Sequence, residues 1–254
     1  DVLGELGDRG WEPVRGEVAI VVPEHFETAF PFTTVEYRRD IDKGLFQSYI
    51  AARECDLPLE LAREKDGLAT DARLLLSPST KLLTALGTDR LEELVRGGAT
   101  VYLSVFAGST DNQRGPWLDG LRQLFGVNQL LRYGLVNPID DDVVSLELVR
   151  PFGDLEAGAQ LHFKAAGNAN ARSFLPVEPA GAEVVAVDGH GRPALLVNQV
   201  GDGKAVLCTY PLEFMAAQTP SVNPEDTARL YSALAVEAGV SRPVRVAELL
   251  GFAL

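Results

Sequence analysis

Glu24 and Glu213 are two carboxylates in this 254-residue chain that fall just after apolar, β-rich runs. A pair of carboxylates converging on one bond is what glycoside hydrolysis requires: one gives a proton, the other acts as base or nucleophile. Other polar groups sit at comparable run ends. His25 follows Glu24, Ser77, Ser79 and Thr80 follow Leu74-Leu-Leu, and Phe106, Ser109, Asp111 and Asn112 follow Thr100–Val105. In an open parallel sheet, ligands bind beyond the carboxyl ends of the strands. Glu24, His25, Ser79, Phe106, Ser109 and Asp111 therefore form the candidate ligand-binding rim. No residue is assigned a catalytic role outright; Glu24 and Glu213 are the candidates. A polar, partly acidic rim with aromatics suits a neutral polyol better than a phosphate. Each residue also has a plain reading as a solvated or ion-paired loop side chain.

Several chemistries lack their residues. No G-x-S-x-G is present, so the nucleophile elbow of α/β hydrolases is missing. Gly203-Lys204 is followed by Ala205, which breaks a P-loop, and the first apolar run enters Pro23-Glu24 without a G-x-G-x-x-G. His25-Phe26-Glu27 is an H-x-E, but the P-C-x-x-C of a zinc deaminase is absent. His25, His162 and His190 are far apart, so no metal is expected, and no cofactor either. Asp140–Asp142 reads as a solvated turn, since calcium wants several converging oxygens. Cys55 and Cys208 read as small buried hydrophobes; a bridge between them stays open, but a disulfide framework is excluded. Trp11 and Trp117 are alternative stacking platforms, although Trp117 lies on an apolar helix face and reads as core.

The elements that would position these groups follow from periodicity. Val18–Val22 is a continuous apolar run, as in a strand buried on both faces. Helical spacing covers 41–55, with Cys55 on its apolar side, and Pro58 marks the exit to a short strand at Leu57–Ala62. Arg73–Ser77 is a third strand stopped by Pro78. A helix with Leu91, Leu94 and Val95 follows, with Thr88 as its expected N-cap and Gly97-Gly98 as its end. Thr100–Val105 is a fourth strand, and 117–125 a helix. Strands alternating with helices imply a parallel sheet covered on both faces. After Asp142 the texture changes. Val143–Val149, Gln160–Ala165, Glu183–Val187, Ala194–Val200 and Lys204–Tyr210 are β-rich, and Asp188-Gly189 and Asp202-Gly203 are hairpin signals. An antiparallel section at the edge of the parallel sheet is expected. Asn223, Pro224, Glu225 and Asp226 open a last helix that Gly239 ends.

Composition sets the class. Lys and Arg number 23 and Asp and Glu 36, a net charge of −13. Such a chain does not present a broad nucleic-acid surface. Hydrophobic residues at 46% and charged residues at 23% are ordinary for a globular protein and wrong for disorder. No apolar run approaches the roughly 18 residues of a membrane span. Neither nucleic acid nor membrane is expected as a partner. The chain opens on Asp1 and not Met, which reads as a processed chain or one cut from something longer.

With these elements placed, a resemblance enters. The strand Val18–Pro23, the segment Tyr49-Ile-Ala-Ala-Arg-Glu-Cys-Asp56, the strand end Leu74-Leu-Leu-Ser-Pro78 and Leu91-Glu-Glu-Leu-Val-Arg-Gly-Gly-Ala-Thr-Val-Tyr-Leu-Ser104 come in order. So do Trp117–Val127 and the hairpin Gly201–Glu213. This layout resembles the class I glutamine-amidotransferase-like domain of glycoside hydrolases, known as the β-galactosidase trimerisation domain, over roughly residues 17–240. The resemblance implies an α/β fold: a flavodoxin-like three-layer sandwich with a mostly parallel sheet and an antiparallel β extension in the C-terminal half. Residues 1–16 would be an irregular lead-in and 17–254 one domain. Its parts would be a parallel α/β portion at 17–139, an antiparallel portion at 140–213, and a closing helix and tail at 214–254.

The resemblance also implies a partner, a catalytic (β/α)8 barrel that carries the catalytic carboxylates. The expected role is a non-catalytic accessory domain of a carbohydrate-active enzyme of cellulase, mannanase or β-galactosidase type. It would support the barrel, its active-site rim or a homo-oligomer. The parent would be cytoplasmic or secreted. Glutaminase chemistry is not expected: the turn Ser104–Ser109 holds no Cys, Cys208 lies inside a strand, and Ser104 or Ser109 as nucleophile lacks a base. The alternatives are an independent small hydrolase using the strand-end rim, and a sugar-binding module that contacts a saccharide there.

Overall fold

The computed structural model describes residues 16–24, 35–80, 83–105, 120–130, 137–165, 172–218 and 224–241. The first half contains β1 (Val18–Val22), α1 (Val35–Glu54), β2 (Leu59–Arg63), a 3-10 turn (Glu64–Asp66), β3 (Leu74–Thr80), α2 (Ala85–Arg96), β4 (Thr100–Val105) and α3 (Leu121–Phe125). Short strands β5 (Val127–Gln129) and β6 (Asn137–Pro138) lead into β7 (Val143–Leu148) and β8 (Gln160–Lys164). Then come β9 (Ser173–Phe174), β10 (Val177–Pro179), β11 (Glu183–Asp188), β12 (Pro193–Val200), β13 (Gly203–Cys208), α4 (Leu212–Gln218) and α5 (Pro224–Glu237).

Nine strands form one sheet in the order β2-β1-β3-β4-β13-β12-β11-β7-β8. The first five run parallel. From β13 onward each strand pairs antiparallel with its neighbour. The expected antiparallel section is therefore present, and it continues the parallel sheet from β13.

Alternation along the strands builds two cores. Val18, Ile20, Leu74, Leu76, Tyr102, Val206 and Cys208 share one face with Ala51 and Ala52 of α1, Met215 of α4, and Leu230 and Leu234 of α5. Ala19, Val21, Leu75, Val101, Leu103, Ala205 and Leu207 share the other with Leu91 and Val95 of α2 and Leu124 and Phe125 of α3. Strands whose odd and even residues are both buried need an apolar cover on each side. In β7 and β8 one face suffices. Val144, Leu146, Leu148, Leu161 and Phe163 are buried, while Val143, Glu147, Gln160, His162 and Lys164 face solvent.

Several boundaries differ from the sequence reading. Pro78 does not stop β3, which continues to Thr80 with a register shift against β4 between Ser77 and Thr80. Proline is tolerated where the ladder is already interrupted. The cap of α2 is Thr84, not Thr88: the Thr84 Oγ1 accepts from the Gly87 N–H at 3.0 Å, and Thr88 lies a turn inside. The strand expected at Leu57–Ala62 begins at Leu59, because the Leu57 N–H still bonds to the Ala52 carbonyl while Asp56 turns at φ +53°. Cys55 lies just past α1, its thiol donating to the Ala228 carbonyl at 2.9 Å, and it forms no disulfide with Cys208. Residues 117–119 of the expected helix lie outside the described residues, and α3 covers 121–125. The strand expected at Lys204–Tyr210 ends at Cys208, and Glu213 belongs to a helix, α4, that the sequence reading lacked.

Candidate functional site at the carboxyl end of the sheet

Five parallel strands end on one side, and the antiparallel strands add to it. β11 runs with β13 and ends there at Asp188, while β12 and β7 begin there at Pro193 and Val143. The rim thus joins Glu24, Ser77–Thr80, Ser104, Tyr210–Glu213, Asp188–Arg192 and Asp140–Asp142.

At its centre, Glu213 is fully buried in the first turn of α4. Tyr102 of β4 and Tyr231 of α5 donate to its Oε1 at 2.9 and 3.0 Å. Ser104 donates to Oε2, and Ser79 reaches the same oxygen at 3.4 Å. The hydroxyls are held in turn. Ser48 of α1 bonds Tyr231 at 2.7 Å, Ser104 Oγ accepts from the Ser79 N–H at 2.5 Å, and Ser79 Oγ accepts from the Phe214 N–H at 3.1 Å. Ser79 sits at φ +46°, a left-handed conformation that costs a non-glycine residue on the order of 1 kcal/mol. These bonds hold it there. Burial raises the Glu213 pKa, and the hydroxyl donors only partly counter it. This cage knots β3, β4, α1, α4 and α5 together. Glu213 itself has no solvent contact.

At one side of the rim, Asp188 anchors a second cluster. Its Oδ1 accepts the His190 and Arg192 N–H groups, both at 2.9 Å, which closes the β11–β12 turn. Its Oδ2 accepts from Arg192 Nε and the Tyr210 hydroxyl, both at 2.5 Å. Burial pushes this carboxyl up, but the Tyr210 and Arg192 bonds outweigh it and hold Asp188 below the usual aspartate range. Arg192 lies over the Phe174 ring at 4.2 Å, and Phe174 stacks on Tyr210 at 5.4 Å. Burial and the Asp188 carboxylate push the Tyr210 phenol well up. His190 Nε2 meets Asp141 Oδ2 at 2.7 Å. Arg172 braces the Asp141 segment, donating to the Asp140 and Asp141 carbonyls at 3.2 and 3.1 Å. Between these parts lies a cavity of about 180 Å³, bordered by Asp141, Val143, Ser145, His190 and Arg192.

The rim residues named from sequence fall in several places. Glu24 follows β1, partly buried, its backbone N–H donating to Glu64 Oε2 at 2.7 Å. Ser79 is buried beside Glu213. Trp11, His25, Phe106, Ser109, Asp111 and Trp117 lie outside the described residues. Asp140–Asp142 is exposed as expected, yet Asp141 carries the link to His190. Among the described residues, no three His, Cys, Asp or Glu side chains group as a metal site. No described helix is long and apolar enough to cross a membrane. The Asp188 cluster was missed. Its trace in the sequence is an Asp followed four residues later by Arg, across Gly189 and Gly191.

No protein-family model matches the chain, and no curated protein matches it in sequence. Solved structures do match in fold. A β-galactosidase from Bacillus circulans sp. alkalophilus aligns at a TM-score of 0.62 and 15% identity, covering 91% of this chain and 32% of that one. An exo-β-1,4-mannosidase from Opitutaceae bacterium strain TAV5 aligns at 0.64 and 13%, covering 87% and 36%. A GH42 β-galactosidase from G. stearothermophilus aligns at 0.62 and 18%, covering 91% and 31%. The chain therefore shares the fold of a segment about one third the length of these glycoside hydrolases.

Proposed function

We propose that this chain is a non-catalytic accessory domain of a carbohydrate-active enzyme, packed against a catalytic barrel and supporting its rim or its oligomer. The observation that carries this reading is coverage: nearly all of the chain aligns with about a third of several glycoside hydrolases. The sealed Glu213 supports it, since a general acid must reach its substrate. The two cores on opposite faces of the sheet support a three-layer arrangement of flavodoxin type. We read 17–254 as one such unit, similar to the amidotransferase-like trimerisation domain. Phe46 and Leu61, each 66% exposed, and Tyr49 at 46% are apolar surface available for a neighbouring domain.

The test is hydrolysis of mannan, cellulose, xylan and aryl-glycosides by this chain alone. The expected result is no turnover from folded protein. Turnover abolished by Glu24→Gln or Glu213→Gln overturns the accessory reading and places a hydrolase on the rim.

A further inference from the structure

We infer that the cavity between the β11–β12 turn and the Asp140–Val143 segment binds one neutral polyhydroxylated ring, such as a monosaccharide or the terminal residue of a saccharide. Its volume of about 180 Å³ suits a single ring and is small for an extended ligand. Its polar groups are held before any ligand arrives. Asp188 fixes Arg192 through two bonds and the His190 backbone through a third, and Arg172 fixes the carbonyls around Asp141. Pre-positioned groups bind without a further ordering cost.

Hydrogen-bonding capacity remains at this cavity. Asp141 uses Oδ2 on His190, which leaves Oδ1 as an acceptor among the described residues. Arg192 uses Nε and Nη2, which leaves Nη1 as a donor. His190 uses Nε2, which leaves Nδ1. Adjacent donors and acceptors are what vicinal hydroxyls require, because each hydroxyl gives one bond and accepts others.

Charge selects the ligand class. An anion would meet the Asp141 carboxylate, while the Asp188 and Arg192 charges offset each other. A neutral polyol meets no such penalty. Val143, 49% exposed, adds apolar surface for the C–H face of a ring. Tyr210 and Phe174 are buried and offer no open stacking platform, so affinity is modest, on the order of 1–10 mM. This chemistry goes beyond the accessory reading and holds with or without an attached barrel.

The full chain is titrated with galactose, mannose, glucose, xylose and fucose, and with inorganic phosphate as the anionic control, using ligand-observed NMR. Two exposed-site variants accompany it: Asp141→Ala removes the acceptor, and Val143→Trp fills the mouth. Circular dichroism checks that both fold. The expected result is saturable binding of at least one sugar, weakened tenfold or more in both variants, with phosphate not competing. No saturable binding of any of the five overturns the inference, as does binding that both variants leave unchanged or phosphate binding more tightly than every sugar. Hydrolysis in the separate glycoside assay bears on the accessory reading alone.

Discussion

Glu213 and Asp188 are both buried carboxyls that accept several hydrogen bonds, yet they titrate in opposite directions. Asp188 faces a guanidinium and two backbone N–H groups, so its charge is compensated. Glu213 faces neutral hydroxyls, and desolvation dominates. The signs of the linkage differ accordingly. A carboxyl raised above its ordinary value of 4.5 holds its proton in the fold when the unfolded chain has lost it. Its contribution is therefore complete below that value and falls away as pH climbs towards the folded pKa. Glu213→Gln removes this fall: its urea midpoint gains on wild type from pH 4 to pH 8. Glu213→Ala strands the Tyr102, Tyr231 and Ser104 hydroxyls and costs about 3 kcal/mol at neutral pH. Asp188 behaves in reverse. Its stabilisation is present above its ordinary value of 3.8 and is lost as pH falls below that through the folded pKa. Asp188→Asn should cost about 2–4 kcal/mol at pH 7 and progressively less in acid, as read from thermal melts across that window.

Elements built on strong local signals were legible, and those built on remote contacts were not. Val18–Val22 and Thr100–Val105 announce themselves because every residue but Ser104 is apolar, aromatic or β-branched and both faces are buried. Thr88 has the local pattern of an N-cap because the acidic Asp89, Glu92 and Glu93 follow it. The chosen cap, Thr84, is fixed from outside the helix: Glu64 Oε1 accepts from its N–H at 2.6 Å and its hydroxyl at 2.7 Å. No local pattern displays a bond made across 20 residues. The seven-residue α4 is too short to show a period, so Glu213 read as a loop carboxylate on the rim, whereas helix geometry turns it inward onto Tyr102 and Tyr231. The strand ends that border the rim were legible as elements. The Asp188 cluster was not, because Tyr210 and Asp141 join it from other elements. Thr84→Ala should lower stability by about 1–2 kcal/mol, visible as an earlier urea transition. Gly153→Ala should cost at least as much. Its φ is +58°, and a Cβ would come within 2.3 Å of the Ala233 carbonyl oxygen, pushing the turn off α5.

For the molecule as a whole, a nine-stranded sheet whose central parallel strands have apolar cover on both faces, and whose β7 and β8 have it on one, accounts for the long buried runs of an otherwise acidic chain. The exposed apolar residues then stand out. If Phe46 and Leu61 serve a neighbouring domain, the isolated chain does not need them. Phe46→Lys and Leu61→Lys should each leave its stability within about 0.5 kcal/mol of wild type in urea unfolding. A loss of several kcal/mol would instead make them part of this chain's own core.

The junction at which parallel pairing gives way to antiparallel has a temporal consequence. β4 pairs with β13, so the strand that covers its edge is made almost 100 residues later, at 203–208. The four antiparallel strands hang from that same β13 through β12. A nascent chain that has passed β4 but not reached Gly203 holds an apolar edge with unmatched backbone groups, the arrangement most prone to pairing with another chain. Closing so long a loop is entropically slow, and contacts of high sequence separation delay folding further. The nine-stranded sheet is therefore complete only once β13 has been made. The hydroxyl cage closes only afterwards, when α4 and α5 bring Glu213 and Tyr231 onto the finished sheet.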